Sequence, residues 1–197
     1  LKDFLNMDGV DPYALAEKLT RSGVEIASTV HPEDGLSKLV VGHILTCEKI
    51  EGTHLNKTTV DVGEDEARQI VCGAPNVAAG QDVIVALPGA HLPGGIKIKK
   101  GKLRGLPSNG MLCSAGELHL DLTKLTEEEK DGIYILPADT PVGVPAKDVL
   151  GLDDVVLEFE LTANRGDCFS VLGLVREIAV LTGNEPKWPV IRCEEDD

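Results

Sequence analysis

Aromatic side chains are scarce in this chain: three Phe, two Tyr and one Trp in 197 residues. None falls between positions 38 and 120, so that stretch lacks the stacking platform on which single-stranded nucleic acid usually rests. No apolar run approaches the roughly 18–20 residues needed to span a bilayer. No charged segment followed by an apolar one opens the chain, which argues against secretion. The cysteines (47, 72, 113, 168 and 193) are odd in number, scattered and free of CxxC spacing. That pattern excludes a disulfide framework and a metal knuckle, and fits reduced thiols in the cytoplasm. No Ser/His/Asp elbow, Walker-type phosphate loop or paired carboxylates at helical spacing occur, so no hydrolytic or transferase machinery is legible. The tripeptide Arg165-Gly166-Asp167 reads as a turn into a helix. Leu1 is not an initiator Met and Asp197 closes no element, so both ends read as cut from a longer polypeptide.

Positive charge is short too, with a formal net charge of −14. Taken whole, that speaks against a nucleic-acid binder, whose affinity comes largely from neutralised phosphates. The deficit is uneven. Residues 1–37 carry three Lys/Arg against seven Asp/Glu, and residues 121–197 carry seven against 18. Residues 38–120 carry nine against eight, and five of those nine (Lys97, Lys99, Lys100, Lys102 and Arg104) fall within 97–104. Such a run is either a charged strand face that keeps a sheet edge from pairing or a local phosphate contact. A middle segment so close to neutral implies that any RNA contact is modest.

Periodicity gives the outline. Asp11-Pro12 predicts the N-cap and first position of a helix running to Ser22, with Gly23 beyond its end and Leu15, Ala16 and Leu19 as its apolar stripe. From Leu39 the period shortens to two, predicting strands over 39–51, 58–62, 68–72, 83–87 and 97–103 with Gly/Pro corners between. In the last of these, Ile96 and Ile98 are expected on one side and Lys97 and Lys99 on the other. Residues 121–150 read as a connection holding one short helix near 126–130, headed by a Thr126/Glu129 capping box. Residues 155–162 read as a strand, and Asp167 as the cap of an apolar helix over 168–182 that Gly183 ends. The fold class is α+β, mainly β. Two signatures, IVCGAPNV at 70–77 and RGLPSNGMLCSAGEL at 104–118, run short strands into Gly-, Pro- or Ser-rich corners, as in a small, strongly bent OB-type barrel.

Those signatures also carry a resemblance. Residues 39–119 resemble the tRNA-binding OB domain shared by several synthetase-associated proteins. Two further blocks flank it, LKDFL with YALAEKLTRSGVEI in 1–27 and ELTANRGDCFSVLGLVREIAVLTG within 155–183. In this order the three resemble the amino-terminal part of the bacterial phenylalanyl-tRNA synthetase β-subunit family. Gly166 departs from the Pro or Ala common in that family's turn, and the corner at 50–54 departs as well.

The resemblance implies an OB-type barrel over 38–151 (core 39–119, the remainder a connector), inserted into a split small helical domain made of 1–37 and 152–197. It implies a ligase that joins phenylalanine to tRNA with ATP and Mg2+, working in the cytoplasm as an α2β2 assembly with a synthetase α subunit. The aminoacylation site then lies on the α subunit and the editing site in a later β-subunit domain. This stretch would hold no catalytic residue, metal or cofactor, and would make a weak contact with tRNA(Phe), with no membrane or DNA partner. The residues expected at RNA are Asn76, Lys97, Lys99, Lys100, Lys102, Arg104, Ser108 and Ser114. The competing reading is a free-standing OB-type RNA-binding or chaperone-like module, which would not need the flanking blocks. A third reading, a barrel that chiefly docks other protein, gains from the missing aromatics.

Overall fold

The computed structural model describes residues 1–190 and 192, the side chain of Glu128 excepted. In chain order the elements are α1 (Pro12–Arg21), β1 (Glu25–Val30), β2 (Ser37–Lys49), β3 (Asn56–Asp61), β4 (Arg68–Cys72), β5 (Asp82–Leu92), β6 (Ile96–Lys97), β7 (Gly101–Leu103), β8 (Leu106–Ser108), β9 (Met111–Leu112), α2 (Glu127–Lys130), α3 (Ala146–Leu150), β10 (Val156–Glu160) and α4 (Val171–Thr182). They form two compact units: Leu1–Pro32 with the chain from Asp154 on, and Glu33–Asp153.

In the first unit the Asp11 carboxylate accepts from the amides of Tyr13 and Ala14, and Pro12 follows the cap. Lys18 and Arg21 occupy the last turn of α1, where cations offset the helix dipole. Leu15 and Leu19 turn inward to meet Leu5, Val24, Val175 and Ile178 in one core. β1 pairs with β10 antiparallel, Val30 opposite Val156. The cap of α4 is not Asp167. Residues Gly166–Phe169 form a separate 3-10 turn, and Ser170 accepts from the Gly173 amide at 3.0 Å. Asp167 is diverted because its carboxylate takes the Arg165 guanidinium, at 3.2 Å. That turn folds tightly onto the start of α4: a Cβ on Gly173 would collide with the Asp167 carbonyl.

The second unit is mostly β. Its main sheet runs β4-β3-β2-β5-β6, with β9 also on β5. β2 and β5 are apolar on both faces, so their sequences read as nearly continuous hydrophobic runs. One face carries Ile44, Val60, Ile70, Val83, Val85 and Leu112, drawn from β2, β3, β4, β5 and β9. The opposite face carries Leu39, Val41, Ile84 and Ala86, covered by Cys113 and Leu118 from the segment after β9 and by Leu136 and Ala146 from the connector. Each fully buried Val, Ile or Leu adds about 1.5–3 kcal/mol, which is why the connector stays folded onto the sheet despite little regular structure. The result is a curled half-barrel whose gap is bridged: the Asn109 amide donates to the Gln69 carbonyl at 2.9 Å.

The run at 97–103 is not one strand. β6 covers only Ile96–Lys97, and β7 begins at Gly101 and pairs with β8 instead. The Ile98 amide still reaches the Ala90 carbonyl at 2.9 Å. Farther along, the ladder would meet Pro88, which has no N–H to offer. Ile98 is buried, but Ile96 is 50% exposed, so the expected shared face of the two isoleucines does not form.

Candidate nucleic-acid interface

After Ile98 the chain leaves the sheet and turns back as a two-stranded hairpin, with Leu103 opposite Leu106. The two turn residues, Arg104 and Gly105, have φ of 50° and 83°. Two successive positive φ values are the signature of a type I′ turn, whose twist suits a tight hairpin. Gly105 adopts this conformation freely, whereas Arg104 holds it against its own Cβ. Lys97, Lys99, Lys100, Lys102 and Arg104 are all exposed. Among the described residues none of the five joins an ion pair, whereas Lys57, Arg68, Lys124, Lys130 and Lys147 of the same unit do. The arm therefore presents five uncompensated charges, Lys97 on β6, Lys99 and Lys100 on the link that follows, and Lys102 and Arg104 on the hairpin.

The other three sequence-expected residues are occupied by the fold. Ser108 is 9% exposed. Its hydroxyl accepts from the Val71 amide at 3.1 Å and donates to the Gly110 carbonyl at 3.2 Å, standing in for a backbone partner at the β4 edge. Asn76 grips Ile133 with two 2.9 Å bonds, donating to its carbonyl and accepting from its amide. Ser114 donates its amide and hydroxyl to Glu117, at 2.7 and 2.8 Å.

Asn76 and Ser114 nonetheless border a common feature. An open hollow of about 390 Å³ lies between the Gly73–Pro75 corner, the Met111–Glu117 segment and residues 131–133. Burial pushes the Cys72 thiol at its floor upward from its ordinary pKa, so it lines the hollow as a neutral group. Sequence reading missed the 131–133 wall, because nothing local marks it: it is placed by the long-range grip of Asn76. It likewise missed the pair of His43 Nδ1 with the nearly buried Asp82 carboxylate at 2.6 Å, residues 39 apart in sequence. In the first unit Asp167, Cys168 and Glu177 converge within 4.8 Å. Arg165 pairs with both carboxylates there, at 3.2 and 2.8 Å, and so supplies their positive partner.

A family profile described as "Putative tRNA binding domain" matches residues 39–145, more than half of the chain. The chain belongs to this tRNA-binding domain family. The matched segment of the tRNA-binding domain contains the cationic arm, Asn76, Ser108, Ser114 and the hollow. Over its full length the chain is also homologous, at 45–53% identity, to the amino-terminal region of the phenylalanine–tRNA ligase β subunit. The Lactobacillus acidophilus subunit is 53% identical over 199 residues, that of Lactobacillus johnsonii 52% over 198, and that of Lactiplantibacillus plantarum 48% over 197. Each alignment covers 100% of this chain and 24% of the relative, so the chain spans about a quarter of their length. Among the described residues, no helix is long and apolar enough to cross a membrane.

Proposed function

We propose that this chain is the tRNA-contacting and architectural part of a phenylalanine–tRNA ligase β subunit. In this reading the second unit is an OB-type barrel inserted into a small split domain made of about 1–37 and 152–197. The whole enzyme attaches phenylalanine to tRNA(Phe) with ATP and Mg2+ as a cytoplasmic α2β2 assembly. The observation that carries the RNA contact is the arm, whose five exposed cations have no ion-pair partner among the described residues of an otherwise acidic protein. Free of carboxylate partners, these side chains can exchange counterions for phosphates without first breaking a salt bridge. Asn76, Ser108 and Ser114 support the contact by fixing the loops beside it.

The test is a tRNA titration of the wild type and the Lys97→Glu, Lys99→Glu, Lys100→Glu triple variant at low and moderate salt. Binding should be weak and steeply salt-dependent, and the triple variant should lose it while keeping its circular dichroism spectrum. Equal binding by the two proteins would remove the arm from the tRNA path. That result would favour the reading in which the barrel docks other protein, to which the absence of aromatics between 38 and 120 already lends weight. The chain alone should show neither phenylalanine-dependent ATP–pyrophosphate exchange nor hydrolysis of mischarged tRNA. Either activity, from material free of host synthetase, would refute the assignment of the chemistry to other parts of the enzyme.

A further inference from the structure

The hollow beside the arm has a chemistry opposite to the arm's. Its polar lining residues are Glu117, Asp131 and Ser114, beside the Gly73–Pro75 corner, and among the described residues no Lys or Arg lines it. Two carboxylates repel a phosphate and favour a ligand edge rich in hydrogen-bond donors. Met111, Pro75 and Ile133 supply apolar walls, and a thioether packs well against a planar ring.

The walls are fixed before any ligand arrives. Asn76 holds the 131–133 segment through Ile133. Ser114 engages one oxygen of Glu117, and the Ala74 amide donates to the Cys72 sulfur at 3.4 Å. Among the described residues the Asp131 carboxylate has no hydrogen-bond or ion-pair partner. The hollow and the arm are also one continuous piece of chain. β8, which pairs with the arm's β7, is separated from Met111 only by Asn109 and Gly110.

We infer that this hollow receives one unstacked nucleobase of the RNA whose backbone lies on the arm, and that it selects guanine. The guanine edge offers an imino and an amino donor side by side, and a carboxylate accepts both at once. Adenine presents an acceptor where guanine has its imino donor, and would face the carboxylate oxygens with a lone pair. A base held this way needs no aromatic platform, which reconciles RNA contact with a barrel that has none. Met111 and Pro75 cover the ring while Asp131, with Glu117 beside it, reads the edge.

This inference rests on the RNA-binding reading, and its test separates the two. Three RNA hairpins identical except for a single bulged guanosine, adenosine or inosine are titrated against the whole chain. In parallel, free guanosine and adenosine are titrated with amide NMR shifts as the readout. Wild type should bind the guanosine bulge about fivefold or more tighter than the adenosine bulge, the low end of what one bidentate base contact gives. Inosine, which keeps the imino donor but lacks the amino group, should fall between. Guanosine should shift the amides of Gly73, Met111 and Gly132, and adenosine should not. Asp131→Asn, isosteric and on an exposed residue, should erase the preference and leave adenosine-bulge binding intact. The arm triple variant should weaken both RNAs while keeping their ratio. Equal binding of the bulged RNAs together with no guanosine shift would overturn the pocket and leave the arm standing. Guanosine shifts with no RNA binding would uphold the pocket and refute the RNA reading.

Discussion

Arg104 offers a perturbation whose two effects have opposite signs. An ordinary L-residue held in the left-handed region gives up about 1–2 kcal/mol, and Arg104 sits there at φ 50° as the first turn residue of the hairpin. Asn tolerates that conformation, and Asn-Gly is a favoured type I′ pair. Arg104→Asn should therefore stabilise the β7–β8 hairpin by about 0.5–1 kcal/mol. Both strands are short, and all three residues of β7 are exposed, so the hairpin can open without unfolding the main sheet. The gain will appear in amide hydrogen exchange of the β7–β8 ladder, slowed about two- to fivefold, rather than in global denaturation. The same change removes one uncompensated charge from the tip. The slope of log K against log salt for tRNA should become shallower by about 0.7–0.9, with affinity lower at low salt. Arg104→Lys is the control: it keeps both the charge and the backbone strain, so neither readout should move far. Faster exchange in Arg104→Asn would refute the claim that the turn holds strain. An unchanged salt slope would refute a phosphate role for the tip.

Other outcomes follow from packing and burial. Gly42→Ala would bring a Cβ to 2.6 Å from Val85 Cγ2 and 2.9 Å from Val60 Cγ1, so urea denaturation should show a loss of about 1–3 kcal/mol. Asn76→Asp keeps an acceptor for the Ile133 amide but turns an oxygen toward the Ile133 carbonyl. It should cost about 1–3 kcal/mol in the same assay and speed exchange of the Ile133 amide. Burial pushes the Cys113 thiol up to about 12, against about 8.5 in an unfolded chain. Its raised pKa favours the fold fully below about pH 8.5, and that contribution is lost as pH rises toward 12. Cys113→Ala should flatten this alkaline decline, and maleimide should leave Cys113 unmodified in the native protein at pH 8.

Where sequence and structure agree, the signal is local. The Asp11 cap, the Leu15/Leu19 stripe, the 68–72 strand and the Thr126/Glu129 box each depend on neighbours within one turn or one pleat, and each forms as expected. The misses are cases where a side chain's partner or a backbone constraint, which periodicity does not register, decides. Pro88 interrupts the ladder that periodicity had carried from Lys97 through Leu103. Arg165 draws Asp167 away from the helix N-terminus, leaving that position to Ser170. The candidate site divides the same way. The cationic arm is visible as composition, because unpaired charge needs no partner to be counted. The 131–133 wall is invisible, because Asp131 looks like any acidic residue until Asn76, 57 positions before Ile133, brings that segment beside the Gly73 corner.

The two ends of the second unit meet. Its first residue, Glu33, pairs with Lys147 at 3.1 Å, and Leu36 and Leu152 line the same hollow of about 360 Å³. The segment therefore enters and leaves from one spot. A module whose ends already touch can be carried into a foreign surface loop at little entropic cost, since closing that loop needs no reach across the host. It can equally be lifted out and rejoined by a few flexible residues. Such a half-barrel would be portable, its hairpin going with it to any chain that offers two adjacent attachment points.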